Sequence, residues 1–200
     1  MANESATSWK DRRKEQLHDD LVAAAAGLFR EKGFNAVSVE DIVAATGIAK
    51  GTFYLYFKTK TQIVESVLGA CLDDLEKRIS TALEAASSDA SDPLQAVVGI
   101  IMQFLQENPG FVTPIMDAAP VPDIGEAVLL RCRTVTISVF ERLLRMGMLQ
   151  GRYREIDPQA ASLALQGMLS GLVRFSADVD IKFTDVGEIA VELFERGVKR

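Results

Sequence analysis

The sequence has few of the residues that most often carry out chemistry in enzymes. It contains one histidine, His18, and two cysteines, Cys71 and Cys132. It has no glycine-rich phosphate loop, no paired-cysteine metal motif and no Gly-x-Ser-x-Gly elbow. His18 falls on the polar side of the first predicted helix, away from any evident acid–base partner. We therefore expect no catalytic activity, no metal and no cofactor.

Long apolar runs are also missing. No stretch approaches the roughly 18 consecutive apolar residues of a membrane-spanning helix, and the polar N-terminus has no apolar signal core. Both cysteines lie in apolar periodic stretches, which favours small buried side chains in a reducing compartment over a redox switch. These features predict a soluble, cytoplasmic protein with no membrane partner.

Positive charge is scarce overall and unevenly placed. The formal net charge is -6, which argues against a protein that coats nucleic acid without specificity. Residues 1–60, however, carry nine Lys and Arg against eight Asp and Glu, whereas residues 61–200 carry 13 against 20. The acidic excess therefore lies in the second segment. The first segment has one basic cluster, Arg12-Arg13-Lys14, which either contacts phosphates as an arm or begins a solvated helix.

Hydrophobic periodicity predicts an all-α protein of about nine helices. Apolar residues recur at helical spacing from Leu17 to Lys32, and Gly33 is placed to end that helix. Ser38 and Asp41 form a variant of the capping box for a second helix, and a third runs from Lys50 to about Phe57. Later helices are predicted over residues 60–86, 93–107, 111–118, 124–149 and 158–176, and from an N-cap at Thr184.

The segment Ser38–Lys60 predicts a helix-turn-helix. Two short helices flank a turn at Gly47 and Ile48, where glycine is free to adopt a positive φ. A helix placed in the major groove reads bases from its N-terminal residues, while flanking residues hold phosphates. The candidate DNA-binding residues are those with suitable chemistry on or beside the third helix: Ser38, Lys50, Gly51, Thr52, Tyr54, Tyr56, Lys58 and Lys60.

The same segment resembles the DNA-binding motif of the TetR family of transcriptional regulators. The similarity covers residues 17–68 and rests on Gly33-Phe34, the Val-Glu-Asp-Ile-Val-Ala helix, Thr46-Gly47-Ile48 and the run from Lys50 to Lys60. It implies that Lys50, Thr52 and Tyr54 contact bases or nearby phosphates and that Tyr56 and Lys60 clamp phosphates. It also implies that Phe53 and Phe57 are buried.

The resemblance further implies two domains: a DNA-binding domain over residues 1–60 and an effector-binding and dimerisation domain over 61–200. The sequence gives some support for the second. Small residues share one face of the helix from Pro158, which suits either a four-helix interface between two copies or tight packing within one chain. The candidate dimer residues are Ala160, Ala164, Gly167, Gly171, Ile189 and Leu193.

An apolar effector pocket is expected in the middle helices. Soft apolar side chains and a few polar anchors on otherwise apolar helices are the candidates, although core packing is the plain alternative for many of them. They are Met102, Gln103, Phe104, Phe111, Met116, Thr134, Ser138, Gln166, Ser170 and Arg174.

The sequence thus predicts a homodimeric repressor that binds a pseudo-palindromic operator in double-stranded DNA and is released by a small, mainly apolar effector. Two alternatives remain open. One is a ligand-binding or protein-interaction module that no longer acts on DNA. The other is a transcriptional activator of the same fold.

Overall fold

The computed structural model describes residues 2–86, 92–111, 124 and 126–199, and these residues confirm the all-α class. Its one β feature there is an isolated antiparallel bridge between Tyr153 and Lys199. Short 3₁₀ turns cover Pro109–Phe111 and Ser176–Val179. The α-helices are α1 (Ala2–Lys32), α2 (Val39–Thr46), α3 (Lys50–Tyr56), α4 (Lys60–Ala86), α5 (Pro93–Glu107), α6 (Glu126–Leu149), α7 (Pro158–Phe175) and α8 (Phe183–Val198).

Local signals in the sequence set most helix ends. The Ser38 hydroxyl accepts from the Asp41 backbone N–H, and the Ser38 backbone N–H donates to the Asp41 carboxylate, so the capping box at α2 is complete. Gly33 and Gly47 both adopt the left-handed conformation, with φ of 77° and 69°. Pro93 and Pro158 occupy the first turns of α5 and α7, behind Asp92 and Asp157 caps.

Two predicted boundaries differ from the structure, and a third predicted element lies mostly outside the described residues. Helix α1 begins at Ala2 rather than Leu17, and the apolar period missed its first half because the sequence there is polar; residues 11–16 are exposed. Helix α8 begins at Phe183, so Thr184 lies inside the helix and is not its N-cap. The short helix expected around Phe111–Ala118 falls outside the described residues except at Phe111, which belongs to a 3₁₀ turn.

One apolar core runs from the first three helices into the rest of the molecule. Phe29, Ile42 and Phe53 are fully buried where α1, α2 and α3 meet. Helix α4 continues this core with an uninterrupted buried stripe, and the stripe packs against α1 as well as α5 and α6. The stripe consists of Ile63, Val64, Val67, Leu68, Leu72, Leu75 and Ile79.

The remaining helices form a bundle around α4. Helix α7 packs along α6 and α8, and α8 packs along α5. At Gly187, a Cβ would lie 2.9 Å from the Met102 Cγ, so α8 approaches α5 closely there. Ion pairs tie α4 to its neighbours: Arg131 of α6 lies 2.5 Å from Asp73, and Arg78 contacts Glu107 of α5 at 2.7 Å.

The prediction that both cysteines are buried holds fully for Cys132 and partly for Cys71, which is half-buried. Burial raises the pKa of the Cys71 thiol to about 11. Among the described residues, no helix combines the length and apolar character that crossing a bilayer requires.

Candidate nucleic-acid interface

The α2–turn–α3 unit is fixed by its own backbone. Gly47 takes the left-handed conformation that ends α2, and the chain re-enters a helix within three residues. The Thr52 backbone N–H donates to the Ala49 carbonyl at 2.8 Å, which closes the first turn of α3. The two short helices are therefore held at a defined angle, as a helix-turn-helix requires.

Helix α3 has one buried and one exposed side. Phe53 is fully buried, and Phe57 is 3% exposed with its ring 5.7 Å from that of Phe53. On the other side, the side chain of Tyr54 is 39% exposed and Leu55 is 72% exposed. Gly51 is also exposed, and no atom lies within 4 Å of a Cβ built there. The aromatic anchors hold the helix so that its opposite face meets solvent.

The candidate cations have different surroundings. Lys50 forms an ion pair with Glu40 at the start of α2. The Lys58 ammonium donates to the Tyr54 carbonyl at 3.1 Å, which keeps its charge near the C-terminal end of α3. Lys60 is half-buried as the first residue of α4. Lysines therefore lie at both ends of α3, where phosphates flank a major groove, but Glu40 offsets the charge of Lys50.

The other sequence candidates lie on or beside this surface. Thr52 and Tyr56 are half-buried, on the flanks of the exposed face of α3. The Ser38 hydroxyl is engaged with Asp41, 2.6 Å from its carboxylate, and these hydrogen bonds lower the pKa of Asp41. Ser38 thus already serves as the cap of α2, and a phosphate contact would compete with that role.

Sequence reasoning missed two residues of this surface. Leu55 is the most exposed large apolar side chain of α3, and its place two residues after buried Phe53 turns it to the opposite side of the helix. That spacing was readable in the sequence. Glu40 pairs with Lys50 across ten positions, and no sequence signal connects them.

The first helix contributes in part. Arg12, Arg13 and Lys14 are exposed, and the Arg13 guanidinium lies 5.4 Å from the Trp9 ring centroid. His18 was expected on the polar side of α1, but it is half-buried and its ring lies 5.0 Å from that of Phe57. This packing accounts for His18 without a chemical role.

The candidate effector residues are not brought together in one cavity. Met102 and Gln103 line a groove of about 260 Å³ between α5 and α8. Thr134 and Ser138 line another, of about 310 Å³, between α4 and α6. Phe104 is buried in the core. The Phe111 side chain and Met116 lie outside what the structure describes.

The last three candidates lie on α7, away from those grooves. The Gln166 side chain accepts from Thr136 of α6 at 2.8 Å and donates to Ser170 at 3.4 Å. Gln166 and Ser170 therefore lie in one row of α7, as predicted, and their hydrogen bonds connect α7 to α6. The exposed Arg174 lies 5.8 Å from the Phe175 ring. A third groove, of about 520 Å³ between α4 and α5, includes Gln103 but otherwise residues that the sequence did not single out.

The candidate dimer residues do share one exposed region. Ala160, Ala164 and Gly167 are exposed on α7, and Gly171 and Ile189 are half-buried. Leu193 of α8 is 54% exposed, and exposed Leu163 and Phe175 extend the apolar surface on α7. We call this surface, from Ala160 to Phe175 together with Ile189 and Leu193, the α7/α8 face.

The described residues hold no group of three or more metal-ligating side chains.

The fold and the exposed face of α3 together define a helix-turn-helix DNA-binding protein. A family profile for bacterial regulatory proteins of the tetR family matches residues 21–67, the part of the chain that contains this motif.

Relatives extend the match beyond the motif. The transcriptional repressor KstR2 of Mycolicibacterium smegmatis is 39% identical over 84 residues, which cover 42% of this chain and 39% of that protein. The nucleoid occlusion factor SlmA of Glaesserella parasuis is 30% identical over 159 residues, 78% of this chain and 76% of that one. The chain belongs to the TetR family of bacterial regulatory proteins, which are DNA-binding proteins and not enzymes.

Solved structures show the same fold. FadR of Bacillus subtilis, solved in complex with stearoyl-CoA, superposes with a TM-score of 0.66 at 19% sequence identity. The superposition covers 89% of this chain and 97% of that one. At this identity the likeness concerns the fold alone.

Proposed function

We propose that this protein is a homodimeric transcriptional repressor whose two copies of α3 bind a pseudo-palindromic operator. The observation that carries the proposal is the exposed face of α3, with Tyr54 and Leu55 turned outward by buried Phe53 and cations at both ends of the helix. Tyrosine hydroxyls reach phosphates or bases, and an exposed leucine suits a thymine methyl group. The proposed boundary between the DNA-binding and the second domain is residue 60.

The phosphate part of this proposal is tested through salt dependence. The chain selects its operator from a pool of random duplexes, and fluorescence anisotropy then gives the affinity of each variant at several salt concentrations. Removing one phosphate contact lowers the slope of log affinity against log salt by about 0.9. Tyr56→Ala should weaken binding, and Lys60→Ala should both weaken it and flatten the slope. Unchanged binding by both variants at every salt concentration would refute the clamp.

The same assay separates the alternative of a chain that no longer acts on DNA. Such a chain would enrich no duplex from the pool and would bind all sequences alike. Repression and activation are separated by placing the selected operator upstream of or across a reporter promoter and comparing expression with and without the protein.

The dimer is proposed to form through the α7/α8 face. Outside the helix's own backbone, no described atom lies within 4 Å of a Cβ built at Gly167 or Gly171, so packing within one chain does not require these glycines. Small residues beside exposed Leu163, Leu193 and Phe175 suit the close approach of a second copy. A face of this kind left in water would be unusual for a monomer.

Light scattering after size exclusion tests the interface. The native protein should have twice the chain mass of 21.8 kDa, and Leu193→Glu should reduce it to one chain. The matched control is Leu130→Glu, because Leu130 is 57% exposed but lies on α6, outside the α7/α8 face. A native monomer, or equal dissociation by both variants, would contradict the assignment.

The effector is proposed to bind beside α4, in the groove of about 520 Å³ between α4 and α5. Its volume lies within the range of small-molecule sites, and Ile100 and Ala82 offer apolar contact beside Lys77 and Arg78. Asp74 also lines the groove and pairs with Arg78, so an anionic group on a mainly apolar molecule would contact Lys77 or compete for Arg78. Stearoyl-CoA, which FadR holds in its structure, is therefore the first probe.

Thermal unfolding measures effector binding. A ligand at 100 times its dissociation constant stabilises the folded state by about 2.7 kcal/mol, which corresponds to roughly 5–10 °C for a chain of this size. Stearoyl-CoA should raise Tm and release the operator, whereas coenzyme A alone should do neither. Stabilisation without release would assign the groove to binding but not to regulation.

A further inference from the structure

Glu40 lies on the proposed DNA-binding surface although its charge repels phosphate. It occupies the first turn of α2, and its side chain is 63% exposed. Its carboxylate forms an ion pair with the ammonium of Lys50, the first residue of α3, whose side chain is 52% exposed. The pair therefore joins the beginning of α2 to the beginning of α3 across the turn of the motif.

The pair gives a flexible side chain one preferred direction. A lysine ammonium is a compact charge on a four-carbon stem, and alone it samples many positions. The hydrogen bond from Lys50 lowers the pKa of Glu40, and the same bond raises the pKa of Lys50, so both groups stay charged at neutral pH. Because both side chains are more than half exposed, the pair is weak: it biases Lys50 toward α2, away from phosphates within reach, without fixing it there.

This arrangement affects non-operator and operator DNA differently. On non-operator DNA, the contact available to Lys50 is with phosphate, and making it requires the ammonium to leave Glu40. On the operator, a guanine offers the O6 and N7 acceptors inside the groove, next to the N-terminal end of α3. A lysine directed toward that end is already close to base edges. A base contact therefore disrupts the ion pair between Lys50 and Glu40 less than a phosphate contact does.

We propose that Glu40 is a specificity-determining residue: it positions Lys50 for a base contact and weakens the contact of Lys50 with phosphates on non-operator DNA. The proposal rests on the function proposed above. It makes Glu40 a positioning residue that acts through Lys50 and not a direct contact with DNA.

The test compares Glu40→Gln with the native chain on two fluorescent duplexes, the selected operator and a shuffled sequence of the same composition. Freeing Lys50 adds at most one phosphate contact on shuffled DNA, so the salt slope there should steepen by up to about 0.9. The gain in affinity should therefore be larger at 50 mM than at 200 mM salt, by up to about 3.5-fold. The ratio of operator to shuffled affinity should fall.

Two further variants isolate the role of Lys50. In a Lys50→Met background, Glu40→Gln should no longer change the salt slope on shuffled DNA. Glu84→Gln is the matched control, because it removes the same charge about 36 Å further along α4 from Lys60, at 1.5 Å per residue, and should change neither duplex. Circular dichroism checks that the variants remain folded.

Three results would overturn the inference. If Glu40→Gln still tightened binding to the shuffled duplex in the Lys50→Met background, Glu40 would repel DNA in general and not through Lys50. Weaker operator binding in both backgrounds would mean that Glu40 itself contacts a base. Unchanged slopes would mean that the pair does not restrain Lys50. A native chain that selects no operator would instead refute the proposed function, and the inference would fall with it.

Discussion

The contact between the 3₁₀ turn and α1 predicts that Gly110→Ala destabilises the protein. A Cβ at Gly110 would lie 2.5 Å from the backbone carbonyl oxygen of Phe29, inside the 3.0 Å that Cβ atoms essentially never breach. That oxygen accepts from the Gly33 N–H at 2.9 Å at the end of α1. Because the obstacle is backbone and not a flexible side chain, the turn itself must move.

The size of the effect follows from the packing around the turn. Neighbouring Asn108 is 5% exposed, donates to the Phe104 carbonyl at 2.9 Å and accepts from Arg30 of α1 at 3.2 Å. Shifting the turn disturbs both hydrogen bonds in addition to the steric conflict. Overpacking of this kind costs about 1–3 kcal/mol. For a chain of this size, this corresponds to a fall in Tm of about 2–12 °C.

Thermal unfolding followed by circular dichroism at 222 nm measures the effect, with Gly99→Ala as the control. Gly99 is exposed within α5, and a Cβ there meets no atom within 4 Å. Alanine should therefore raise stability at this position by up to about 1 kcal/mol, because it restricts the unfolded chain. If Gly110→Ala unfolded at or above the native temperature, the close contact between the turn and α1 would be refuted.

Two further predictions concern α3 and the C-terminal helix. Phe53→Ala should lower the free energy of unfolding in urea by about 3–5 kcal/mol, because it empties a fully buried site. Leu55→Ala should change this free energy by no more than about 0.5 kcal/mol but should weaken operator binding in anisotropy. Equal losses of stability would contradict a helix α3 with one buried and one exposed side. Burial, and then the neighbouring Asp92 carboxyl group, raise the pKa of Glu195 above its usual 4.5. Its contribution to stability is therefore greatest at low pH and is lost as pH rises above 4.5. In urea unfolding, the free energy of unfolding of Glu195→Gln should therefore increase relative to that of the native chain between pH 4 and pH 7. A constant difference between the two would refute the pKa shift.

Features that depend on a few neighbouring residues could be predicted from the sequence. The capping box of Ser38 and Asp41 and the left-handed Gly33 and Gly47 each involve residues at most four apart. The burial of Phe53 and Phe57, which the resemblance implied, agrees with their spacing of four, because this spacing places the α3 residue and the C-cap on the same side. These signals suffice for the helix-turn-helix because that motif is itself almost entirely local.

The effector candidates were harder to predict because their roles depend on which helix each one faces. Gln166 and Ser170 do share a row, as their spacing suggested, but the row faces Thr136 of α6 and its hydrogen-bonding groups serve that contact. Met102 lines a groove between α5 and α8, whereas Thr134 lines a different groove, between α4 and α6. Helix periodicity gives the face of a residue, whereas the neighbour across that face depends on how the helices cross.

If an effector binds in the proposed groove between α4 and α5, the packing of α4 predicts how a change would reach α3. The pairs that link α4 to α5 and α6 involve partly exposed side chains at groove rims, such as Arg78 and Arg131, and surface pairs of this kind are weak. The apolar stripe from Ile63 to Ile79, by contrast, is buried and uninterrupted. A ligand between α4 and α5 can therefore displace the rim pairs at little cost but cannot separate α4 from the core. We expect α4 to shift as a unit, and its first residue, Lys60, would then move relative to the operator.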